Sequence, residues 1–408
     1  MSDQAQPATS AALLENVRKL NREFTLAGEP VNAILKLPDD QLLYLLSVFR
    51  NEPTPRIDIT QPQWRHLIST LDSHMILPVF YEKLRLLPID MRPPCEVMDA
   101  LRSAYMSSDL KSAMRSRQLT SVLVAFNKRG IRSILLKGSA LSLYLYDRPA
   151  SRPCLDIDLL VMPQDALAAR EILENMGYKC MENRVDVSEA GYCEEVFFPR
   201  LPGIGHHMVE IHWNLFSFSL LSQKIDIRQL FSRARKVEWN GMTVEVLDPI
   251  DSLLHAAAHL IYHHSQSIRL NWVYDIYLLC NMLKEPSEWE ILLARSVECG
   301  ARLALEESIK MAQCWTGLQI PPGFSDFSKW PSPDDHEIIA FSHAMDGRTV
   351  NLFRMVLPQN ASACEKIKLI FRLIFPAPEQ MHNFYPRSRG KPLYQAYLIR
   401  WWQLLKKL

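Results

Sequence analysis

Two aspartates, Asp156 and Asp158, stand two positions apart in the run Asp156-Ile157-Asp158-Leu159-Leu160-Val161. Apolar neighbours of this kind predict a strand, and residues two apart on a strand project from one face. Two like charges side by side on a buried strand repel and lose hydration, so packing alone gives little reason for them. A divalent cation removes that cost. Magnesium takes one or two carboxylates together with the phosphate oxygens of a substrate, and manganese suits the same oxygen donors. The expected chemistry is metal-assisted work on a phosphate.

A second group lies upstream. Ile134–Leu136 is expected to be a strand and Ala140–Tyr146 a helix, with Lys137, Gly138 and Ser139 at their junction. Glycine lets a backbone come close to a ligand, and the free amides of a helix start attract phosphate. Joined to Asp-x-Asp on the next strand, the stretch "LLKGSAL…RPCLDIDLLV" resembles the polymerase-beta-type nucleotidyltransferase superfamily. That pattern is an apolar strand, Gly-Ser or Gly-Gly, then Asp-x-Asp or Asp-x-Glu. The Lys-Gly variant resembles the large, poorly characterised bacterial branch. Sixteen residues separate Ser139 from Asp156, somewhat more than in the best-known members.

The resemblance implies transfer of a nucleoside monophosphate from a nucleoside triphosphate to an acceptor. Asp156 and Asp158 would hold two magnesium ions across the triphosphate, and Gly138 and Ser139 would hold phosphate oxygens. Lys137 would neutralise the acid cluster or touch phosphate. Two-metal phosphoryl transfer also wants a third carboxylate from a neighbouring strand. In the expected strand Met208–Trp213, Glu210 is the sole acid and His212 shares its face. The family carries an acid, a variable apolar residue and His-Trp here, and "VEIHW" matches. The catalytic set is thus Asp156, Asp158 and Glu210, the same three serving as metal ligands. A surface glutamate on an edge strand would read the same way.

Arg148 and Arg152 bracket the loop before the Asp-x-Asp strand, within reach of a triphosphate. Guanidinium forks suit phosphate oxygens, although solvated surface arginines are as common. Downstream, Asp248-Pro249 is a good helix start, and His255, His259 and His263 follow at four-residue spacing with His264 beside them. Such a face could bind zinc and do hydrolytic chemistry. The favoured alternative puts a histidine in the nucleotide or acceptor pocket, with His259 the nucleotide-binding candidate. Arg269, Trp272 and Asp275 then align on one helix, either as an ion pair bridging two helices or with Trp272 stacking on a base.

These residues need an α+β architecture, a small mixed β-sheet nucleotidyltransferase core flanked by helical regions, with the Asp-x-Asp and Glu210 strands side by side. The expected division is a helical N-terminal region 1–120, the core 121–250, and a helical C-terminal region 251–408. Helical spacing runs through Ala11–Phe49, and Val97–Asn127 reads as one long helix or two. Gln164–Asn175 is a helix stopped by Gly177. Glu194–Pro199 and Val244–Leu247 are strands, Leu201–Gly205 a turn, Ser287–Cys314 a helix or a pair, and Gln319–Asp335 a proline-bearing loop.

Among the 408 residues, 46 Lys and Arg balance 45 Asp and Glu, which argues against a long nucleic acid as partner. Eight cysteines without a Cys-x-x-Cys fit reduced thiols in a cytoplasmic protein. No secretory signal and no membrane-spanning run is read. From Lys366 onward nine basic residues face one acid, and the tail from Tyr397 to Leu408 mixes aromatics with lysines. Peripheral contact with the inner membrane face fits that tail, as does a helix docked on the core. The expected partners are a nucleoside triphosphate and an acceptor left open among small molecules, sugar precursors and proteins. The competing reading is a non-catalytic interaction protein that keeps the fold within a biosynthetic cluster.

Overall fold

The computed structural model describes residues 25–26, 29–30, 35, 37–54, 59–181, 193–200, 207–216, 219–265, 267–346, 394–395, 397–398 and 401. The fold is α+β. Two short strands, β1 (Thr25–Leu26) and β2 (Glu29–Pro30), pair antiparallel. The central sheet holds β3 (Ser133–Leu135), β4 (Asp156–Val161), β5 (Tyr178–Cys180), β6 (Glu194–Pro199), β7 (Met208–His212), β8 (Arg235–Trp239) and β9 (Met242–Val246). Their order is β5-β6-β7-β4-β3-β9-β8. β4 runs parallel to β7 and β3 parallel to β9, while the other pairs are antiparallel, so the sheet is mixed.

The side-chain alternation of β4 sorts its residues between two cores. Ile157, Leu159 and Val161 join the apolar cluster under the sheet, with Leu119, Val122 and Phe126 of the Cys95–Lys128 helix. Leu160 joins the larger cluster on the other face, built from the flanking helices. Asp156 and Asp158 share the face of Leu160, because the strand period is two. The two aspartates therefore look towards the helical side, where the C-terminal helices pack.

The Cys95–Lys128 helix is one uninterrupted element of 34 residues that passes through position 120. Its Val97 and Leu101 belong to the larger core and its Leu119 to Phe126 segment to the smaller. Gly177 follows the Ala166–Asn175 helix at φ +93°, a conformation open to glycine without strain. The expected 287–314 segment is a pair of helices, Pro286–Glu298 and Arg302–Thr316.

Of the helical reading of 11–49, residues 11–24, 27–28, 31–34 and 36 lie outside the described residues. Asp39–Arg50 is a helix, but β1 and β2 lie inside the stretch. Gly28 and Pro30 explain this: glycine weakens a helix and proline lacks the amide that continues one. The Leu201–Gly205 turn and nearly all of the basic tail from Lys366 lie outside the described residues. No helix among the described residues is long and apolar enough to cross a membrane.

Candidate active site

The site starts at a turn. β3 ends at Leu135, Leu136 donates its amide to the Asp158 carbonyl (2.9 Å), and the next helix begins at Lys137. Lys137 takes φ +49°, a left-handed conformation that costs a non-glycine residue on the order of 1 kcal/mol. Such strain clusters at functional sites. Here it aims the Lys137 side chain over β4. Gly138 follows because nothing larger fits: a Cβ would stand 2.8 Å from Cys154 Sγ and 3.2 Å from Arg152 Cζ. Gly138 and Ser139 thus lie within the first helical turn rather than in a loop before it. Ser139 is buried, and its hydroxyl donates to the Asp156 carbonyl (2.7 Å), tying the helix to β4.

Parallel pairing sets Asp158 directly opposite Glu210, and antiparallel pairing sets Glu194 opposite His212. All four side chains meet. Lys137 Nζ donates to Asp158 Oδ1 at 2.6 Å and approaches Glu210 Oε2 at 3.4 Å. His212 Nε2 lies 3.0 Å from Asp158 Oδ1 and 3.5 Å from Glu210 Oε2, and its Nδ1 lies 3.1 Å from Glu194 Oε2. Among the described residues, Asp158, Glu210 and His212 are the one set of ligand-type side chains brought within ligating distance of one another.

Charge is tightly arranged. Burial opposes the Lys137 charge, but Asp158 and Glu210 outweigh it and hold the ammonium well above the usual lysine value. Burial and the Lys137 charge work against a proton on His212, yet its hydrogen bonds to Asp158, Glu194 and Glu210 hold it well above the usual imidazole value. Burial would raise Glu194 and Glu210, but the His212 hydrogen bond and Lys137 win. Glu194 falls to about 2 and Glu210 also lies below the ordinary carboxylate range. Asp156, without such a partner, is pushed up to about 7 by burial and by repulsion from Asp158 and Glu210.

Facing this cluster is the Pro249–Ala258 helix, started by Asp248, whose carboxylate accepts the Asp251 amide at 2.8 Å. It continues into a single π turn, His259–His263, a local widening that recurs at functional sites. The wider turn changes which of the histidines touch. His264, five residues on, packs against His259 with ring centroids 4.5 Å apart, whereas His263 is exposed and 5.8 Å away. The histidines therefore do not converge as a metal set. Burial, then Lys137, holds His255 and His259 well below the usual imidazole value, so this wall is neutral.

Two cavities meet between the walls. One, of about 270 Å³, is lined by Asp156, Glu194, Glu210 and His212 on one side and His255, His259 and His263 on the other. The second, of about 180 Å³, shares Lys137, Asp156, His255, His259 and His264 with it and extends to Gly138, Asn271 and Trp272. Together they form one cleft.

The expected residues are distributed unevenly around it. Lys137, Asp156, Glu210 and His259 line the cleft, with Gly138 and Arg152 at its second end. Asp158 is fully buried beneath Lys137. The Ser139 hydroxyl is spent on β4, and Arg148 is exposed and outside both linings. Arg152 is buried and grips Asp275 with Nε (2.9 Å) and Nη2 (2.7 Å). Of the two readings of the aligned Arg269, Trp272 and Asp275, the ion pair forms, but Asp275 makes it with Arg152, while Arg269 lies over the Trp272 ring at 5.1 Å. The reason is reach: Arg152 arrives from the core loop, with Tyr146 Oη donating to the same carboxylate (2.7 Å).

Two contributors were missed. Glu194 is the first residue of a strand whose pairing with His212 no sequence spacing announces. Asn271 is a carboxamide at the start of the largely apolar helix Leu270–Met282, buried where Asn281 near the far end is exposed, and its polarity was the available signal.

A family model described as an uncharacterised nucleotidyltransferase matches residues 60–317, more than half of the chain. No curated protein matches the chain. Among solved structures it is similar to the antibiotic-resistance factor ANT(2'')-Ia, at 14% identity over 45% of this chain and 91% of that one, with a TM-score of 0.34. It is also similar to an antigenic nucleotidyltransferase-like protein from Paracoccidioides brasiliensis, at 16% identity over 48% and 93%, with a TM-score of 0.29. Likenesses that distant say nothing about substrate.

Proposed function

This chain belongs to that nucleotidyltransferase family, and from that premise we propose that it moves a nucleoside monophosphate from a nucleoside triphosphate to an acceptor, with magnesium or manganese as cofactor. The observation that carries the reading is Asp158 opposite Glu210 on adjacent parallel strands, with Asp158 Oδ2 buried and without any hydrogen-bond partner. A buried carboxylate oxygen left over from an otherwise satisfied cluster is costly unless something cationic meets it. The donor set, mostly carboxylate oxygens, suits a hard divalent ion. Asp156, Asp158 and Glu210 would hold it, with His212 Nε2 alongside. Bound there, a divalent cation would screen the phosphate charge and lower the pKa of the attacking hydroxyl.

The remaining work falls to the chain. The first-turn amides of the Lys137–Tyr144 helix have no partners within the helix and can take phosphate oxygens. Lys137 exchanges a carboxylate for a phosphate oxygen when the triphosphate enters. Glu194 fixes the His212 ring from behind through Nδ1, which keeps Nε2 on Asp158 and Glu210. The neutral histidine wall closes the cleft without adding charge. In this reading the core is 121–250, and the described helices of the regions 1–120 and 251–408 flank it. The acceptor belongs to a class that reaches the His255–His263 side.

One observation favours the competing reading, a non-catalytic interaction protein. Lys137 and His212 already give the acid cluster internal counter-charges, so the aspartates are tolerable without a metal. Labelled triphosphates separate the two. We expect label at the α-phosphate, supplied with magnesium or manganese and a cell extract as acceptor pool, to reach a new species with release of pyrophosphate. Glu210→Gln should bind triphosphate and not turn over. Transfer of γ-label alone would mean another reaction, and transfer of neither would favour the interaction protein.

A further inference from the structure

At the far end of the cleft one polar group is used by nothing around it. Asn271 is 1% exposed, and neither its Nδ2 nor its Oδ1 has a hydrogen-bond partner. It lines the 180 Å³ cavity that also reaches Gly138 and Asp156. Its backbone is held: the Asn271 amide donates to the His74 carbonyl (3.4 Å), and the Leu270 amide to His74 Nδ1 (3.4 Å). The carboxamide is therefore kept at this place in the fold while both of its ends go unsatisfied, which a folded protein tolerates only at a cost.

The wall beside it is built of flat groups, the Trp272 and His264 rings and the Arg269 guanidinium that lies over the indole. Trp272 and His264 stack with centroids 4.3 Å apart and planes at 28°, and Leu136 and Met75 complete the surface. A ligand that matches has planar faces, one polar edge with a donor next to an acceptor, and a link to the phosphate end of the same cavity. A polyol has no flat faces and many scattered hydroxyls, so it fits less well. We propose that this end of the cleft is a nucleobase subsite, in which the Asn271 carboxamide pairs with the donor–acceptor edge of the base of the bound nucleoside triphosphate. The inference rests on the nucleotidyltransferase reading. No neighbour fixes which way round the amide sits, so the subsite separates a nucleotide from a bare triphosphate more than one base from another.

The test compares the four nucleoside triphosphates with inorganic tripolyphosphate, each with magnesium, by calorimetry on the full chain. Wild type should bind its best nucleotide at least tenfold more tightly than tripolyphosphate. In Asn271→Leu that advantage should fall by roughly tenfold, with tripolyphosphate affinity unchanged. The ligand-free Asn271→Leu protein should also melt no lower than wild type, since an unsatisfied amide gives way to an apolar side chain of similar volume. Asn271→Asp, which keeps the size and loses the donor, should show the same loss of nucleotide advantage. A lower melting point, or no folding, in Asn271→Leu would make the amide structural and overturn the subsite. An unchanged nucleotide-to-tripolyphosphate ratio in both variants would overturn it as well. If tripolyphosphate binds wild type as tightly as any nucleotide, the subsite alone falls. If neither ligand binds wild type, the transferase reading falls first and takes the subsite with it.

Discussion

Asp158 carries two loads at once. Its Oδ1 anchors Lys137 and His212, and its Oδ2 is left over. Mutual repulsion between aspartates suggests that removing one would relieve strain, but the buried cations reverse that sign. We expect Asp158→Asn to lower the ligand-free unfolding free energy by on the order of 2 kcal/mol in urea titrations, because Lys137 loses its shortest contact. Metal-dependent triphosphate binding should be lost in the same variant. Equal stability would mean that the Lys137 contact is neutral. Gly138 tests the neighbouring turn. Gly138→Ala drives a methyl to within 2.8 Å of Cys154 Sγ and should cost about 1–3 kcal/mol. Adding Cys154→Ala should recover part of the loss, and a double-mutant cycle reads the coupling. The strand positions and common face of both aspartates and Glu210 were legible, because the two-residue strand period decides which side an acid takes. Glu194 was not, because its role depends on which strand it pairs with. Asn271 was not, because an unsatisfied amide looks like any other asparagine until its surroundings are known.

Among the elements, β4 and β7 were readable as strands, and the Pro249–Ala258 helix as a helix, from local pattern and its Asp-Pro start. What joined them was not. Arg152 and Asp275 are 123 positions apart, and their bidentate contact fixes the Leu270–Met282 helix to the loop before β4. Sequence read the arginine as a phosphate ligand and the aspartate as part of a helix pair, since each local context is complete without the other. Removing one partner of a buried, bidentate pair strands the other charge. Asp275→Asn should therefore cost about 3–5 kcal/mol in chemical denaturation, whereas the double replacement Arg152→Met/Asp275→Leu should cost much less. A cost no larger than for a surface pair would show that the contact does not hold the helix. The π turn was equally hidden. Four-residue spacing does leave His255, His259 and His263 on one wall, but the π turn brings His264 closer to His259 than His263 is.

Over the whole molecule, one buried acid sets a pH response away from the cleft. Glu337 is fully buried, accepts the Leu303 amide at Oε1 (2.6 Å), and leaves Oε2 without a partner. Burial pushes its carboxyl up to about 7, against the Leu303 hydrogen bond and the nearby Lys224. The folded state thus binds its proton more tightly than the unfolded chain, whose glutamate titrates near the ordinary 4.5. Its contribution is greatest below that value and is lost as pH rises through about 7. Glu337→Gln should make the fall in melting temperature between those limits shallower, the share due to Asp156 remaining, and gain on the order of 1–3 kcal/mol over wild type at pH 8. A wild-type profile already flat across that window would exclude the effect.

The sheet order has a consequence for how the chain is made. Strand β3 sits between β4, which follows it soon in the chain, and β9, whose first residue is Met242. During synthesis β3 and β4 leave the ribosome together and β7 can join soon after, but the far side of Ile134 and Leu135 waits until Glu245 and Val246 emerge. Open strand edges recruit wrong partners, and long-range parallel pairing is slow to form. Until then the strand that leads into Lys137 has one flank unpaired, so a nascent chain halted before Met242 carries an adhesive edge where the finished protein has an inner strand.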